Sequence, residues 1–134
     1  MSARPLRVAI DCRVMLYRKA GIANYTRRLT QALAALDAAD LQLCVLLDRR
    51  DRDIGWLPPA HHAAEPVALP AELAGRQLGW PIDVLHSPDF ITCRGAFAKV
   101  ITIHDLYFHE HPEVLDAAGA RYYGRIEWSA RQVD

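Results

Sequence analysis

One short apolar run most constrains what this chain can fold into. Residues 100–103 read Val-Ile-Thr-Ile, with almost no polar alternation. Such a run is typical of a strand covered on both faces, as in a parallel sheet. It ends abruptly in His104-Asp105, and ligands of open α/β sheets gather just beyond the carboxyl ends of the strands. His104 is therefore the first candidate for a functional residue.

Strand and helix patterns alternate along the rest of the chain. Strands are predicted at Leu6–Asp11, Leu41–Leu47, Val67–Leu69, Asp83–His86 and Lys99–Ile103, and helices from Gly21, over Ala71–Leu78 and from Pro112 to the end. Such a βαβ series with right-handed crossovers predicts an α/β fold. We expect a Rossmann-like three-layer domain with a mainly parallel sheet and the first strand near its centre.

The two long helices each have a predicted apolar stripe. In the first helix the stripe consists of Ile22, Tyr25, Leu29, Leu33 and Leu36, and Thr26 falls on the opposite, polar face. In the last helix it consists of Leu115, Ala118, Tyr122, Ile126 and Val133. Two other segments are predicted to be exposed: the mixed-charge run Asp48–Asp53 as a solvated turn, and His61-His62 as part of a loop.

Composition excludes some classes of function. Sixteen basic residues balance sixteen acidic ones, whereas a dedicated nucleic-acid surface would show as a basic excess. The N-terminus leads directly into a strand pattern without a signal segment, and no apolar run is long enough to cross a bilayer. Cys12, Cys44 and Cys93 are odd in number and scattered, which fits reduced thiols. The sequence thus predicts a cytoplasmic protein that binds no nucleic acid.

The loop after the first strand has features of a phosphate site. A helix N-terminus presents free N–H groups to an anion, and Gly21 opens the helix with Arg18 and Lys19 just before it. Gly21 is the loop's only glycine, so the Gly-x-Gly-x-x-Gly fingerprint of dinucleotide dehydrogenases is absent. The alternative interpretation is that Gly21 merely permits a turn.

His104 has three interpretations. It could position or polarise a hydroxylated substrate, because a histidine near neutral pKa can donate or accept a proton. It could form a metal site with His109 and His111, but their spacing fits no common zinc pattern, so no metal is expected. It could also be a structural histidine that hydrogen-bonds to the backbone.

Five motifs together resemble a known family. They are Arg-Val-Ala-Ile-Asp at 7–11, Gly-Ile-Ala-Asn-Tyr-Thr-Arg-Arg-Leu at 21–29, Asp-Val-Leu-His-Ser-Pro at 83–88, Val-Ile-Thr-Ile-His-Asp-Leu at 100–106 and His-Pro-Glu at 111–113. In this order and spacing the chain resembles the N-terminal half of a GT-B glycosyltransferase of family 4, the mannosyltransferase-like type. The resemblance covers nearly the whole chain.

The resemblance implies retaining transfer of a sugar from a nucleotide sugar to an acceptor hydroxyl, with no cofactor and no obligatory metal. The N-terminal domain of such enzymes mainly holds the acceptor, and peripheral membrane association is compatible with the family. The catalytic residues implied are His104, beside the transferred sugar, and Asp105. Gly21 and Ile22 would approach the donor diphosphate, and His86, Ser87 and Tyr25 would line the cleft.

Two features depart from the family pattern. Ala23 and Asn24 replace the second glycine and the arginine of the usual Gly-Ile-Gly-Arg-Tyr. The sequence also stops at Asp134, so we expect residues 1–134 to be a truncated acceptor-side domain without the C-terminal nucleotide-binding domain. Such a fragment would be inactive and would self-associate, most simply as a two-fold dimer joined through the strand at Lys99–Ile103 or through the final helix.

Two other functions stay open at this point. One is a complete, non-catalytic α/β binding or interaction module. The other is a hydrolase that uses the histidine cluster. A reading frame that continues past Asp134 into a second βαβ domain would favour the transferase.

Overall fold

The computed structural model describes residues 4–17, 20–36, 38–65 and 81–133. Its strands are β1 (Leu6–Asp11), β2 (Leu41–Asp48), β3 (His61–Glu65), β4 (Val84–Ser87) and β5 (Ala98–Ile101). Its helices are α1 (Ala20–Ala35), α2 (Tyr107–Glu110), α3 (Ala117–Tyr123) and α4 (Ile126–Ala130), with 3₁₀ turns at Arg13–Tyr17 and Pro112–Val114. The predicted strand Val67–Leu69 and helix Ala71–Leu78 lie outside the described residues.

The five strands form one sheet in the order β3-β2-β1-β4-β5. Every pairing is parallel, which confirms the predicted α/β class and its parallel sheet. β1 lies in the middle, as predicted, and its whole length pairs with β2, from Leu6 opposite Leu41 to Asp11 opposite Leu46. No helix in the described part of the chain is long and apolar enough to cross a membrane.

Apolar residues cover the central strands on both faces. One core cluster contains Ala9, Cys44, Leu46, Ile82 and Leu85, and the other contains Ile10, Cys12, Leu43, Val45 and Leu47. Successive residues of β1 and β2 alternate between the two clusters because neighbouring side chains of a strand point to opposite faces. α1 packs on the second cluster through Leu33 and Ala34. Cys12, Cys44 and Cys93 form no disulfide.

The buried face of α1 differs from the predicted stripe. Thr26 and Thr30 are completely buried, whereas Tyr25 is 38% and Leu36 64% exposed. The hydroxyl of Thr26 donates to the carbonyl oxygen of Ile22 at 2.8 Å, and that of Thr30 donates to Thr26 at 2.8 Å. Because these bonds satisfy the hydroxyls within the helix, short threonine side chains can face the sheet without leaving an unpaired polar group. The prediction that placed Thr26 on the polar face is wrong.

Two segments predicted to be exposed loops belong partly to the sheet. His61 and His62 open β3 and are not in a loop. Asp48 ends β2 and is only 2% exposed, so the run Asp48–Asp53 is not wholly a solvated turn. Burial of Asp48 is possible because Arg50 supplies the hydrogen bonds that its carboxylate needs.

β5 lies at the edge of the described sheet, as predicted. It begins and ends earlier than the predicted strand, and Val100 is 45% exposed, so the expected burial on both faces is wrong. The N–H of Ala98 donates to the carbonyl oxygen of Asp83, just before β4, and the N–H of Thr102 donates to the carbonyl oxygen of Ser87, at the end of β4. Self-association through the edge of β5 that faces away from β4 stays a prediction.

The predicted long helix from Pro112 is wrong, because the chain breaks it into shorter pieces. Pro112–Val114 is a single 3₁₀ turn, and Leu115 is extended. Asp116 then caps a new helix by accepting a hydrogen bond from the N–H of Gly119 at 2.7 Å. A turn at residues 124–125 separates α3 from α4.

Candidate functional site

Four polar side chains meet where β4 and β5 end beside the first turns of α1. We call Tyr25, His86, Thr102 and His104 the strand-end cluster. His86 belongs to β4, Thr102 follows β5, and Tyr25 comes from α1. The parallel sheet brings them together because the carboxyl ends of β4 and β5 lie at the same edge.

The hydroxyl of Thr102 links the two strands to the helix. Its Oγ1 lies 3.2 Å from Nε2 of His86 and 3.5 Å from the hydroxyl of Tyr25. The ring of Tyr25 stands edge-on to that of His104, with centroids 5.0 Å apart. Three predicted site residues, Tyr25, His86 and His104, therefore lie together. Thr102 was missed as a site residue, and the signal that could have found it is its place between a strand and a histidine.

His104 is anchored to the backbone of the loop after β4. Its Nε2 lies 2.8 Å from the carbonyl oxygen of Pro88. A carbonyl only accepts, so Nε2 carries the proton and donates it. In the neutral ring Nδ1 is then an acceptor, and no described residue hydrogen-bonds to it. The anchor orients an exposed imidazole that retains one nitrogen for a ligand.

Asp105 has a different local role. Its Oδ1 accepts a hydrogen bond from the N–H of Tyr107 at 3.1 Å, at the start of α2. No described hydrogen bond joins it to His104. The carboxylate therefore helps to shape the loop after β5.

The remaining predicted site residues lie near the cluster in different environments. Ser87 is 1% exposed, and its hydroxyl has no hydrogen-bond partner among the described residues, so its side chain lies beneath the protein surface. Gly21 and Ile22 are in the first turn of α1. A Cβ added at Gly21 would meet no described atom within 4 Å, so packing does not require glycine there. Arg18 and Lys19 lie outside the described residues.

An aromatic group supports the loop that anchors His104. The buried carboxylate of Asp89 accepts from the hydroxyl of Tyr122 on α3 and from the N–H of Phe90. Phe90 packs against the rings of Tyr122 and Tyr123 at 4.9 and 5.7 Å between centroids. Burial and the neighbouring Asp89 raise the pKa of Tyr122, which keeps this hydroxyl a donor. α3 thus fixes the residues next to Pro88.

Two ion pairs with the same local pattern close the ends of β1 and β2. Asp11 accepts hydrogen bonds from the backbone N–H of Arg13 at 3.1 Å and from its Nε at 2.8 Å. Asp48 accepts from the N–H of Arg50 at 2.9 Å and from its Nε at 3.0 Å. Hydrogen bonds from Arg50 lower the pKa of Asp48. We call these pairs the Asp-x-Arg forks. These pairs were not predicted from the sequence, although Asp-x-Arg at the exits of two buried strands is a readable signal.

An open cleft of about 580 Å³ lies beside the second fork. Its walls are α1 at Asn24 and Arg27, the 3₁₀ turn at Met15, and the loop 50–53. The Nη2 of Arg27 donates to the Oδ1 of Asn24 at 3.1 Å. The cleft is a separate concave surface with charged walls.

Burial lowers the pKa of His86 below its ordinary value, so we expect its ring to be neutral at pH 7. An NMR titration of the ring resonances should show His86 accepting a proton below about pH 6.5, the ordinary value for a histidine side chain. Its contribution to the free energy of unfolding is complete above about pH 6.5 and declines as the pH falls below that value, because the unfolded chain is protonated first. A His86→Gln variant should lose this part of the pH dependence. A midpoint for His86 at or above that ordinary value would contradict the expectation.

Among the described ranges, no three histidine, cysteine or acidic side chains lie close enough to hold a metal ion. Comparisons of the chain with protein-family models, with curated proteins and with solved structures found no match.

Proposed function

We propose that this chain is the acceptor-side, Rossmann-like domain of a retaining GT-B glycosyltransferase. The sheet order with β1 central, and the apolar cover on both faces of β1 and β2, support the three-layer fold. The five ordered motifs support the family. The three cysteines form no disulfide, which supports a cytoplasmic location.

The observation that carries the proposal is the anchored ring of His104. The residue expected beside the transferred sugar lies at a strand end with Nε2 on the carbonyl of Pro88 and Nδ1 available to a ligand. In the reaction, the bond from the anomeric carbon to the diphosphate oxygen breaks and a bond to the acceptor oxygen forms. The acceptor proton moves to the departing diphosphate. His104 accepts a hydrogen bond from a sugar hydroxyl and so holds the anomeric carbon in place.

The neighbouring groups complete this side of the proposed cleft. Thr102 positions the rings of His86 and Tyr25 through its hydroxyl. Gly21 and Ile22, in the first turn of α1, face the donor diphosphate, where N–H groups at a helix start favour the leaving negative charge. Asp105 shapes the loop that follows His104. The nucleotide is held by a second domain.

The test is a transfer assay with the intact natural protein against a panel of nucleotide sugars and hydroxylated acceptors. We expect acceptor-dependent release of nucleoside diphosphate from one donor class. The proposal assigns the pocket for base and ribose to the second domain, so the Kd of the 134-residue chain for any nucleotide sugar should be weaker than about 1 mM, roughly 4 kcal/mol of binding free energy. Micromolar binding to this chain would instead favour a complete binding module, and cleavage without an acceptor would favour a hydrolase.

A further inference from the structure

The open cleft lies on the other side of α1 from the strand-end cluster. Ala23 and Arg27 line it, and each is two residues from Tyr25. At about 100° per residue, they lie about 160° around the helix from Tyr25. The cleft is therefore distinct from the surface that carries His104.

Three guanidinium groups border the cleft: those of Arg27, Arg50 and Arg52. Arg50 is held by the carboxylate of Asp48 through its Nε and Nη2, both at 3.0 Å. Asp48 is almost wholly buried, whereas the Arg50 side chain is 54% exposed. The fork therefore fixes the plane of this guanidinium at the cleft wall and leaves the group accessible to a ligand. Fixed guanidinium groups bind phosphate well because little side-chain freedom is lost.

Two carboxylates also line the cleft, those of Asp51 and Asp53. Oδ1 of Asp51 accepts from the N–H of Asp53 at 3.0 Å, which fixes the turn of this loop. Carboxylate oxygens accept hydrogen bonds from hydroxyl groups, whereas they repel an anion. A ligand that carries both a phosphate and hydroxyl groups matches this mixed wall, and a volume of about 580 Å³ suits a small ligand.

We propose that this cleft binds the phosphate of a phosphorylated polyol, with Arg27, Arg50 and Arg52 on the phosphate and the two aspartates on the hydroxyls. The inference goes beyond the proposed function, because the cleft is separate from the strand-end cluster and its ligand is not the acceptor held beside His104. The same chemistry occurs in a soluble polyol phosphate and in a lipid headgroup.

The test is direct binding to the full 134-residue chain, with no donor present. Glycerol 3-phosphate is titrated while amide resonances are followed by NMR, and flotation with vesicles of phosphatidylglycerol in phosphatidylcholine forms the second arm. Shifts confined to residues 15–16, 23–27 and 50–53 support a soluble ligand. Flotation that depends on the same arginines, without those shifts, supports a lipid headgroup.

Substitutions distinguish binding in the cleft from a nonspecific effect of positive charge. Arg27→Gln and Arg52→Gln should each weaken binding about tenfold, because each removes a charged hydrogen-bond donor. The matched control is Arg49→Gln, in the same loop but not on the cleft, and should leave the affinity within about twofold, as expected for an exposed charge. Equal losses in all three variants, or no binding in either arm, would overturn the inference. Since no donor or transfer is involved, these results do not depend on whether the transferase assay succeeds.

Discussion

His104→Ala is expected to lower turnover of the proposed transferase by about 10²-fold or more, the usual cost of losing one positioned polar group at a reacting centre. The ring is held by Pro88 and packed against Tyr25, so a sugar bound as proposed would meet a preoriented imidazole. The alanine variant keeps the loop but loses that contact. Steady-state kinetics with saturating donor and acceptor give the measurement.

His109→Ala is the matched control, because His109 is exposed in α2, five residues further along. It should have nearly normal kinetics. A fall in kcat confined to His104→Ala, with an unchanged circular dichroism spectrum, assigns the ring to the reaction. If both variants behave like the unmodified enzyme, His104 is a structural residue that anchors the loop after β4.

Leu46→Ala is expected to reduce the free energy of unfolding by about 3 kcal/mol, within the usual range for a buried leucine. Leu46 is completely buried on β2, in the cluster with Ala9 and Leu85. Truncation removes apolar contacts and leaves a cavity that the surrounding strands cannot close without losing their register. Urea unfolding of the 134-residue chain should show a lower midpoint at an unchanged slope.

Leu36→Ala provides the comparison on an exposed surface. Leu36 follows α1 and is 64% exposed, so the change should stay within about 0.5 kcal/mol. Equal effects at the two positions would mean that the cluster around Leu46 is not the tightly packed centre described above.

Sequence patterns predicted the central strands well. β1 begins and ends where the pattern placed it, and β2 extends only one residue further. A short continuous apolar run between polar segments is typical of a strand buried on both faces. The face of α1 was predicted less well. Hydropathy counts Thr26 as polar, and only the helix reveals that its hydroxyl bonds to the carbonyl of Ile22.

The other differences depend on neighbours that a linear pattern does not show. The exposure of Val100 follows from the position of β5 at the sheet edge, which is a property of strand order. The last helix divides because the side chain of Asp116 caps a new start, in competition with the proline signal at Pro112. His104 could be predicted from its place after a strand. Its bond to Pro88 joins residues 16 positions apart, which spacing alone does not predict.

The central position of β1 also governs the order in which the chain can fold as it is synthesised. One edge of β1 pairs with β2, which emerges early, but the other edge pairs with β4. The backbone N–H and guanidinium of Arg7 bind Asp83, 76 residues away. At about 5–20 residues per second, roughly 4–15 seconds separate the synthesis of these two residues. During that interval the central strand of the described sheet has an unpaired edge, so the nascent chain is open to wrong strand pairing until residue 83 is made.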